Sequence, residues 1–328
     1  MESKKQNSYT AANNMPFKLL KNKPFLENII DKEKIIPVHI QVSPTNLCNL
    51  NCPFCSCSDV EKGQELSIKQ LKEIVDISKS LNTKAYTITG GGEPTLHPHI
   101  NEFLEYAHGN GISLGLVSNG LKLNKISPAN LKKLTWARIS FGDFREFSDK
   151  FKEQMDLATD AAKDVDWAFS YVVGREANLL KIARIINYAN NKDFTHVRLV
   201  PDLFEVGNIN MGYVKNNLTS MLDCSKVIFQ NRSEYTKGDK DCLISLLKPM
   251  IAADGNVYPC CGVQYALPDK KDQKCFPKSM SMGHYKDLPK IIEKQKQFDG
   301  SVCVKCYYGN YNSTLKDMKI DYDHKDFV

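Results

Sequence analysis

The chain has 328 residues, 42% hydrophobic and 25% charged, ordinary proportions for a globular protein with room for one large α/β domain. Its formal charge of +6 is scattered, without a basic stripe carrying interleaved aromatics, which argues against direct nucleic-acid binding, and no apolar run is long enough for a membrane span. The start MESKKQNSYT has no leader-like apolar run, so a cytoplasmic location is expected, where eleven cysteines stay reduced and clustered ones serve metal binding or catalysis.

Residues 1–35 are polar with little pattern and are expected to form an N-terminal arm. From residue 36 a unit repeats: an apolar strand, a polar or glycine-rich turn, then an amphipathic helix. Strands are predicted at VHIQVS (38–43), AYTITG (85–90), ISLGLVS (112–118), WARISFG (136–142), WAFSYVV (167–173) and THVRLVP (195–201). Helices are predicted over 67–81, 99–109 and 178–190, where apolar residues recur at i, i+3, i+4 and i+7. The alternation implies parallel strands with right-handed crossovers, hence an α/β fold. Six units rather than eight predict a partial (β/α)6 TIM-like barrel over 36–202.

Several of these strands alternate polar with apolar residues: His39 and Gln41, Thr87 and Thr89, Arg138 and Ser140, His196 and Arg198. Helices bury the outer face of such a sheet, so the polar set should point inward. A closed eight-stranded barrel packs its lumen with side chains. Polar lining therefore predicts an open lumen that holds a ligand, with satisfied core polars as the alternative. After residue 202 the rhythm breaks. Residues 203–241 are irregular with one short helical stretch, a hairpin turned by Asp254-Gly255 is predicted over 250–260, and a last helix over 288–298 precedes CVKC (303–306). Residues 203–328 are expected to be a connecting segment and a small α+β domain.

Cys48, Cys52 and Cys55 fall at C-x3-C-x2-C spacing directly after the first strand. Three thiolates can hold three corners of an iron–sulfur cubane and leave the fourth iron open. A structural zinc site wants four ligands; no histidine lies nearby, and Cys57 is an awkward reach. With Phe54 as the aromatic, C-x3-C-x-aromatic-C resembles the cluster loop of the radical S-adenosylmethionine (radical SAM) superfamily. TGGGEPTLHP (89–98), ending the second strand, is similar to that superfamily's Gly-Gly-Glu motif.

The resemblance covers about residues 36–202. It implies a 4Fe–4S cluster on Cys48, Cys52 and Cys55, and S-adenosylmethionine chelating the open iron through its amine and carboxylate. It further implies one-electron cleavage to a 5′-deoxyadenosyl radical that abstracts a substrate hydrogen, fed by a reductant such as flavodoxin or ferredoxin. Cofactor contacts are implied for Phe54, Gly91, Gly92 and Glu93, with Glu93 accepting from the methionine amine. Ser118 and Asn119 of SNG (118–120), and Ser140, match further cofactor-contacting places.

Cys242, Gly255, Cys260 and the closing Cys303-x2-Cys306 resemble the shortened SPASM element called the twitch domain. That implies a second 4Fe–4S cluster, fully ligated by protein and suited to electron transfer. A four-cysteine zinc site is the alternative, and Cys261 could replace Cys260. The longer element would continue C-x2-C-x5-C, but position 312 is Asn. Cys57, Cys224 and Cys275 fit no spacing and are expected to be free thiols.

Substrate-contacting candidates at the C-terminal strand ends are Asp143, Arg145, Tyr171, Arg175 and Asp202, with Gln41, Arg138 and Arg198 in the lumen. A small polar substrate is expected. Size and the compact C-terminal element resemble queuine lyase, which cleaves the C–N bond to a deazaguanine base. Radical dehydrogenation of an amino-sugar and peptide maturation are the competing reactions, and a non-catalytic zinc or iron–sulfur scaffold leaves GGGEP unexplained.

Overall fold

The computed structural model describes residues 14–231, 235–267 and 275–320; residues 1–13 of the expected arm and 321–328 at the far end lie outside the described residues. Six strands stand where the periodicity puts them: β1 (His39–Val42), β2 (Ala85–Ile88), β3 (Ser113–Ser118), β4 (Leu134–Gly142), β5 (Asp166–Val173) and β6 (His196–Pro201). A seventh, β7 (Val227–Phe229), lies within the segment expected to be irregular. Neighbours pair in this order and all are parallel.

The helices between them start where the sequence supplies caps. The helix Ile68–Ser80 opens with a reciprocal capping box between Ser67 and Gln70. Ser148 and Asn178 accept from the backbone N–H of Phe151 and Lys181 at the starts of Asp149–Ala161 and Leu179–Asn191. Their apolar faces, including Leu71, Ile74, Ile182 and Ile186, share one core with Ile40, Tyr86, Leu116, Ile139 and Phe169 on the outer face of the sheet. That leaves the predicted polar set on the opposite face.

The C-terminal segment continues the same sheet. β8 (Met250–Ile251) pairs in parallel with β1, and β9 (Asn256–Tyr258) returns antiparallel through the predicted turn, where Gly255 takes φ +79°. β10 (Gly283–His284) completes a ten-stranded order β10-β9-β8-β1-β2-β3-β4-β5-β6-β7, so the sheet is open rather than closed. Residues 15–32, in the expected arm, form helices Met15–Leu19 and Lys23–Lys32, and the second buries Phe25 and Ile29. Among the described residues no helix is long and apolar enough to cross a membrane.

Candidate active site and a second thiol cluster

The chain leaves β1 at Ser43 and carries Cys48, Cys52 and Cys55 through a loop before the next helix. The Cys55 N–H closes a turn onto the Cys52 carbonyl at 3.0 Å. All three thiols are half-buried. Burial pushes the Cys52 thiol up to about 12, with Cys55 and Cys48 adding to the shift; burial raises Cys48 as well. Thiols of this kind stay protonated in the protein alone and become thiolates on a metal cation. The donor set therefore fits iron.

The Gly-Gly-Glu turn lies directly against this loop. A Cβ on Gly91 would stand 2.2 Å from Asn46 Oδ1, and one on Gly92 would stand 2.2 Å from the Leu47 carbonyl oxygen. Backbone hydrogen bonds lace the two together, from Gly92 to Thr45 at 3.1 Å and from Glu93 to Leu47 at 2.8 Å. Only glycine lets the turn come so close to the residues before Cys48.

Glu93 is 3% exposed. Its Oε1 accepts from the Thr95 N–H (3.1 Å), Thr95 Oγ1 (2.7 Å) and Ser118 Oγ (2.8 Å), and its Oε2 accepts from the Asn119 N–H (2.7 Å). One carboxylate thus ties the end of β2 to the end of β3. Asn119 reaches on to Asn49 in the cysteine loop at 2.8 Å. Oε2, with one donor, retains capacity for another, which fits the amine expected from the resemblance.

Arg145 stands differently from its expected place among substrate contacts. Its Nη1 donates to the Asn119 carbonyl at 2.7 Å, and the guanidinium lies 4.5 and 4.6 Å from the ring centres of Phe141 and Phe151. Burial lowers its pKa to about 10, while Cys52 and Glu93 pull the other way, so the cation sits beside both motifs. Its buried Nη2 has no partner among the described residues. No spacing rule marks this residue; the loop after β4 had to be folded to show it.

Phe54 reaches from the loop to the end of β4, where a Cβ on Gly142 would stand 2.3 Å from its ring. Ser140, inward-facing on β4, accepts the second Arg145 Nη1 contact through its carbonyl at 3.4 Å. Gln41 also points inward, its Nε2 3.5 Å from Met250 Sδ. Arg198 donates twice to Ser170 Oγ, at 3.3 and 2.9 Å, and Arg138 lies over the Trp136 ring. Burial, with Arg138 and Arg198 adding, pushes His196 down to about 3.

Four of the proposed substrate contacts, Tyr171, Asp143, Asp202 and Arg175, are engaged elsewhere. Tyr171 is buried on the helix-facing side, stacked on Phe141, and its hydroxyl donates to the Asp143 carboxylate. That carboxylate also accepts from the N–H of Gly174 and Asn178 at 3.3 and 3.2 Å, so the pair clasps two loops. Asp202 closes its own turn by accepting from the Phe204 N–H at 2.9 Å. Arg175 pairs with Glu205 near the surface.

Cys242, Cys260, Cys303 and Cys306 ring a single cavity of about 520 Å3, open mouth included, with Val263, Met280 and Phe298 in its apolar wall. Burial raises Cys242 to about 12 and Cys303 to about 11. Cys260 accepts from the Gly262 N–H at 3.2 Å, whereas Cys261 turns to the Tyr308 hydroxyl at 3.4 Å and is not part of this wall. Among the described residues no three His, Cys, Asp or Glu side chains converge on a single-ion site. The four thiols thus line one space, and soft thiolate donors of this kind suit an iron–sulfur cluster or zinc. Asn312 supports the first of them: its Oδ1 accepts from the N–H of Leu243 and Ile244 at 2.7 and 3.3 Å, and its Nδ2 donates to the Asp241 carbonyl at 2.8 Å.

Cys57 and Cys275, expected as free thiols, are joined in a disulfide. The fold brings their Cα atoms to 4.8 Å although 218 residues separate them in sequence, a proximity that local spacing cannot reveal.

The open parallel sheet, the three-cysteine loop and the glycine–glutamate turn are the features expected from the resemblance to the radical SAM superfamily. Residues 42–194 match the radical SAM superfamily model. Over 214 residues it is 27% identical to GTP 3',8-cyclase of Staphylococcus epidermidis, covering 58% of this chain and 61% of that one. Over 194 residues it is 28% identical to 7,8-dihydro-6-hydroxymethylpterin dimethyltransferase of Methanocaldococcus jannaschii, covering 57% and 34%. The chain therefore spans about a third to three fifths of the length of these curated relatives. Among solved structures, Streptococcus suis SuiB bound to precursor peptide SuiA superposes with a TM-score of 0.57 at 13% identity, over 92% of this chain and 78% of that one. That likeness is one of fold.

Proposed function

We propose that this protein is a radical SAM enzyme acting on a small polar molecule held in the open lumen. The observation that carries the reading is the set formed by three thiols on one loop, a carboxylate oxygen with spare capacity in the adjoining turn, and the unpartnered Nη2 of Arg145 beside them. When bound, the cluster and S-adenosylmethionine supply hydrogen-abstracting radical chemistry. Cys48, Cys52 and Cys55 hold the cluster. Glu93 Oε2 accepts from the cofactor amine, and Arg145 Nη2 donates to its carboxylate. Gln41, Arg138 and Arg198 face the substrate. In the C-terminal segment, Cys242, Cys260, Cys303 and Cys306 hold a second 4Fe–4S cluster in a twitch-like arrangement, and flavodoxin or ferredoxin is the reductant.

The substrate to test first is queuine, cleaved to an aminomethyl-deazaguanine. Two relatives are named for GTP and for a dihydropterin. Both compounds carry an aminopyrimidinone ring, as deazaguanine does, which supports a substrate of that class. The experiment is anaerobic reconstitution with dithionite, S-adenosylmethionine and queuine, followed by mass spectrometry. Coupled appearance of 5′-deoxyadenosine and the deazaguanine product is expected. 5′-Deoxyadenosine that forms regardless of queuine rejects this substrate and turns the search to amino-sugars. Cys52→Ala abolishes cofactor cleavage if the cluster assignment is right. Cys306→Ala halves bound iron, whereas unchanged iron together with bound zinc in the parent rejects the second cluster.

A further inference from the structure

The Cys57–Cys275 pair belongs to neither thiol set and takes no part in the chemistry above. Cys57 lies two residues past Cys55, and its N–H donates to Cys55 Sγ at 3.4 Å, so any restraint on Cys57 passes directly to a proposed cluster ligand. Cys57 is 5% exposed and Cys275 1%. The bond lies in a seam where the loop meets the C-terminal segment. Ser56 Oγ donates to Gln264 Oε1 at 2.9 Å in the same seam. Phe276, the residue after Cys275, packs over the glycine turn; a Cβ on Gly91 would stand 3.2 Å from its ring. The disulfide therefore spans the place where the cysteine loop, the Gly-Gly-Glu turn and the C-terminal segment meet.

We infer that Cys57 and Cys275 form a thiol–disulfide latch that fastens the cysteine loop to the C-terminal segment, closed by a low-molecular-weight disulfide and opened by a dithiol. To close it, the Cys57 thiolate attacks the S–S bond of the oxidant, releasing one thiol and leaving a mixed disulfide. The Cys275 thiolate then displaces the second thiol. The two cysteines lose two electrons and two protons, and the oxidant gains both as it splits into two thiols. Opening is the reverse, with the dithiol ending as a disulfide. Exchange requires access to the sulfurs, so burial shields the closed bond until the seam separates locally. The latch does not depend on the substrate, and its test reads no turnover.

Full-length protein with its clusters loaded is equilibrated without oxygen in glutathione buffers of graded redox poise. It is then acid-quenched, alkylated and mapped by mass spectrometry, with hydrogen exchange measured in parallel. The Cys57–Cys275 peptide pair should rise in one two-electron step while the proposed ligand cysteines are recovered as thiols. Amide exchange over residues 44–60 should slow roughly fivefold or more on closure. The Cys57→Ser/Cys275→Ser double variant should exchange at the open rate in every buffer. Three results each overturn the inference: no linked peptide at the most oxidising poise, Cys57 linked to Cys48, Cys52 or Cys55 instead, or equal exchange in the two states. Iron content, measured on the same samples, reports separately on the cluster assignment.

Discussion

Replacing Glu93 by glutamine tests whether this carboxylate is a structural clasp as well as a cofactor contact. The side chain is buried and accepts four hydrogen bonds through its two oxygens. A carboxamide has one oxygen and one NH2. Whichever way it is turned, the NH2 meets a backbone N–H, that of Asn119 or that of Thr95. A buried unpaired donor costs about 1–3 kcal/mol, and the remaining bonds lose the charge assistance that roughly doubles their strength. The sum is about 3–5 kcal/mol. An unfolding entropy of about 2.1 cal/mol/K per residue over 328 residues gives about 0.7 kcal/mol per degree, so the melting temperature should fall by about 4–7 °C. Thermal unfolding of the cluster-free and cluster-bearing protein, with S-adenosylmethionine binding measured alongside, is the assay. A variant that melts within about 1 °C of the parent but no longer binds the cofactor would refute the clasp and leave Glu93 as a ligand contact alone.

Gly92→Ala forces a Cβ to within 2.2 Å of the Leu47 carbonyl and should strip iron from the first site, while Gly63→Ala in the cysteine loop, with nothing within 4 Å, should not; equal iron in the two variants defeats the close-approach argument. The folded protein holds His196 neutral, at about 3 against 6.5 for the free side chain, so its contribution to stability is full above about pH 6.5 and drains away as pH falls, by about 2 kcal/mol at pH 5. His196→Gln should flatten that part of the urea-stability profile, and an unchanged slope shows that other groups set it. Asn312→Ala leaves the N–H groups of Leu243 and Ile244 without their cap. It should destabilise the chain by about 2–4 kcal/mol and lower iron in the C-terminal cavity with Cys242, Cys260, Cys303 and Cys306 intact; full iron at parental stability removes Asn312 from any supporting role.

What could be read in the sequence was whatever repeats locally. The strands of the parallel sheet alternate over four to nine residues, and their helices carry full apolar stripes, so both signals survive without tertiary context. β7 and β8, three and two residues long, are too short for any period to show. Tyr171 is the instructive case. It shares parity with Trp167 and Phe169, so alternation already placed it among the helices, and only its hydroxyl suggested otherwise; that hydroxyl is spent on Asp143. Asn312 and the Cys57–Cys275 bond had no local signature, and Arg145 had only its place at a strand end, because each draws its meaning from partners far along the chain.

The order of the strands explains why the cysteine loop is so tightly framed. β1 lies between β2 and β8, and the loop departs from the end of β1. On the β2 side it meets the glycine turn, fixed by backbone bonds to Thr45 and Leu47. On the β8 side it meets the C-terminal segment, which the Ser43 N–H anchors by donating to Ile251 at 2.8 Å and which Gln264 and Cys275 then bring against Ser56 and Cys57. A barrel strand alone would leave one flank of the loop in solvent. By adding β8 to the sheet edge, the chain supplies the second wall from residues more than 200 positions away. The C-terminal segment is therefore part of the first site's architecture as well as the bearer of its own thiols, and deleting it should loosen Cys48, Cys52 and Cys55 even though each of them remains in the chain.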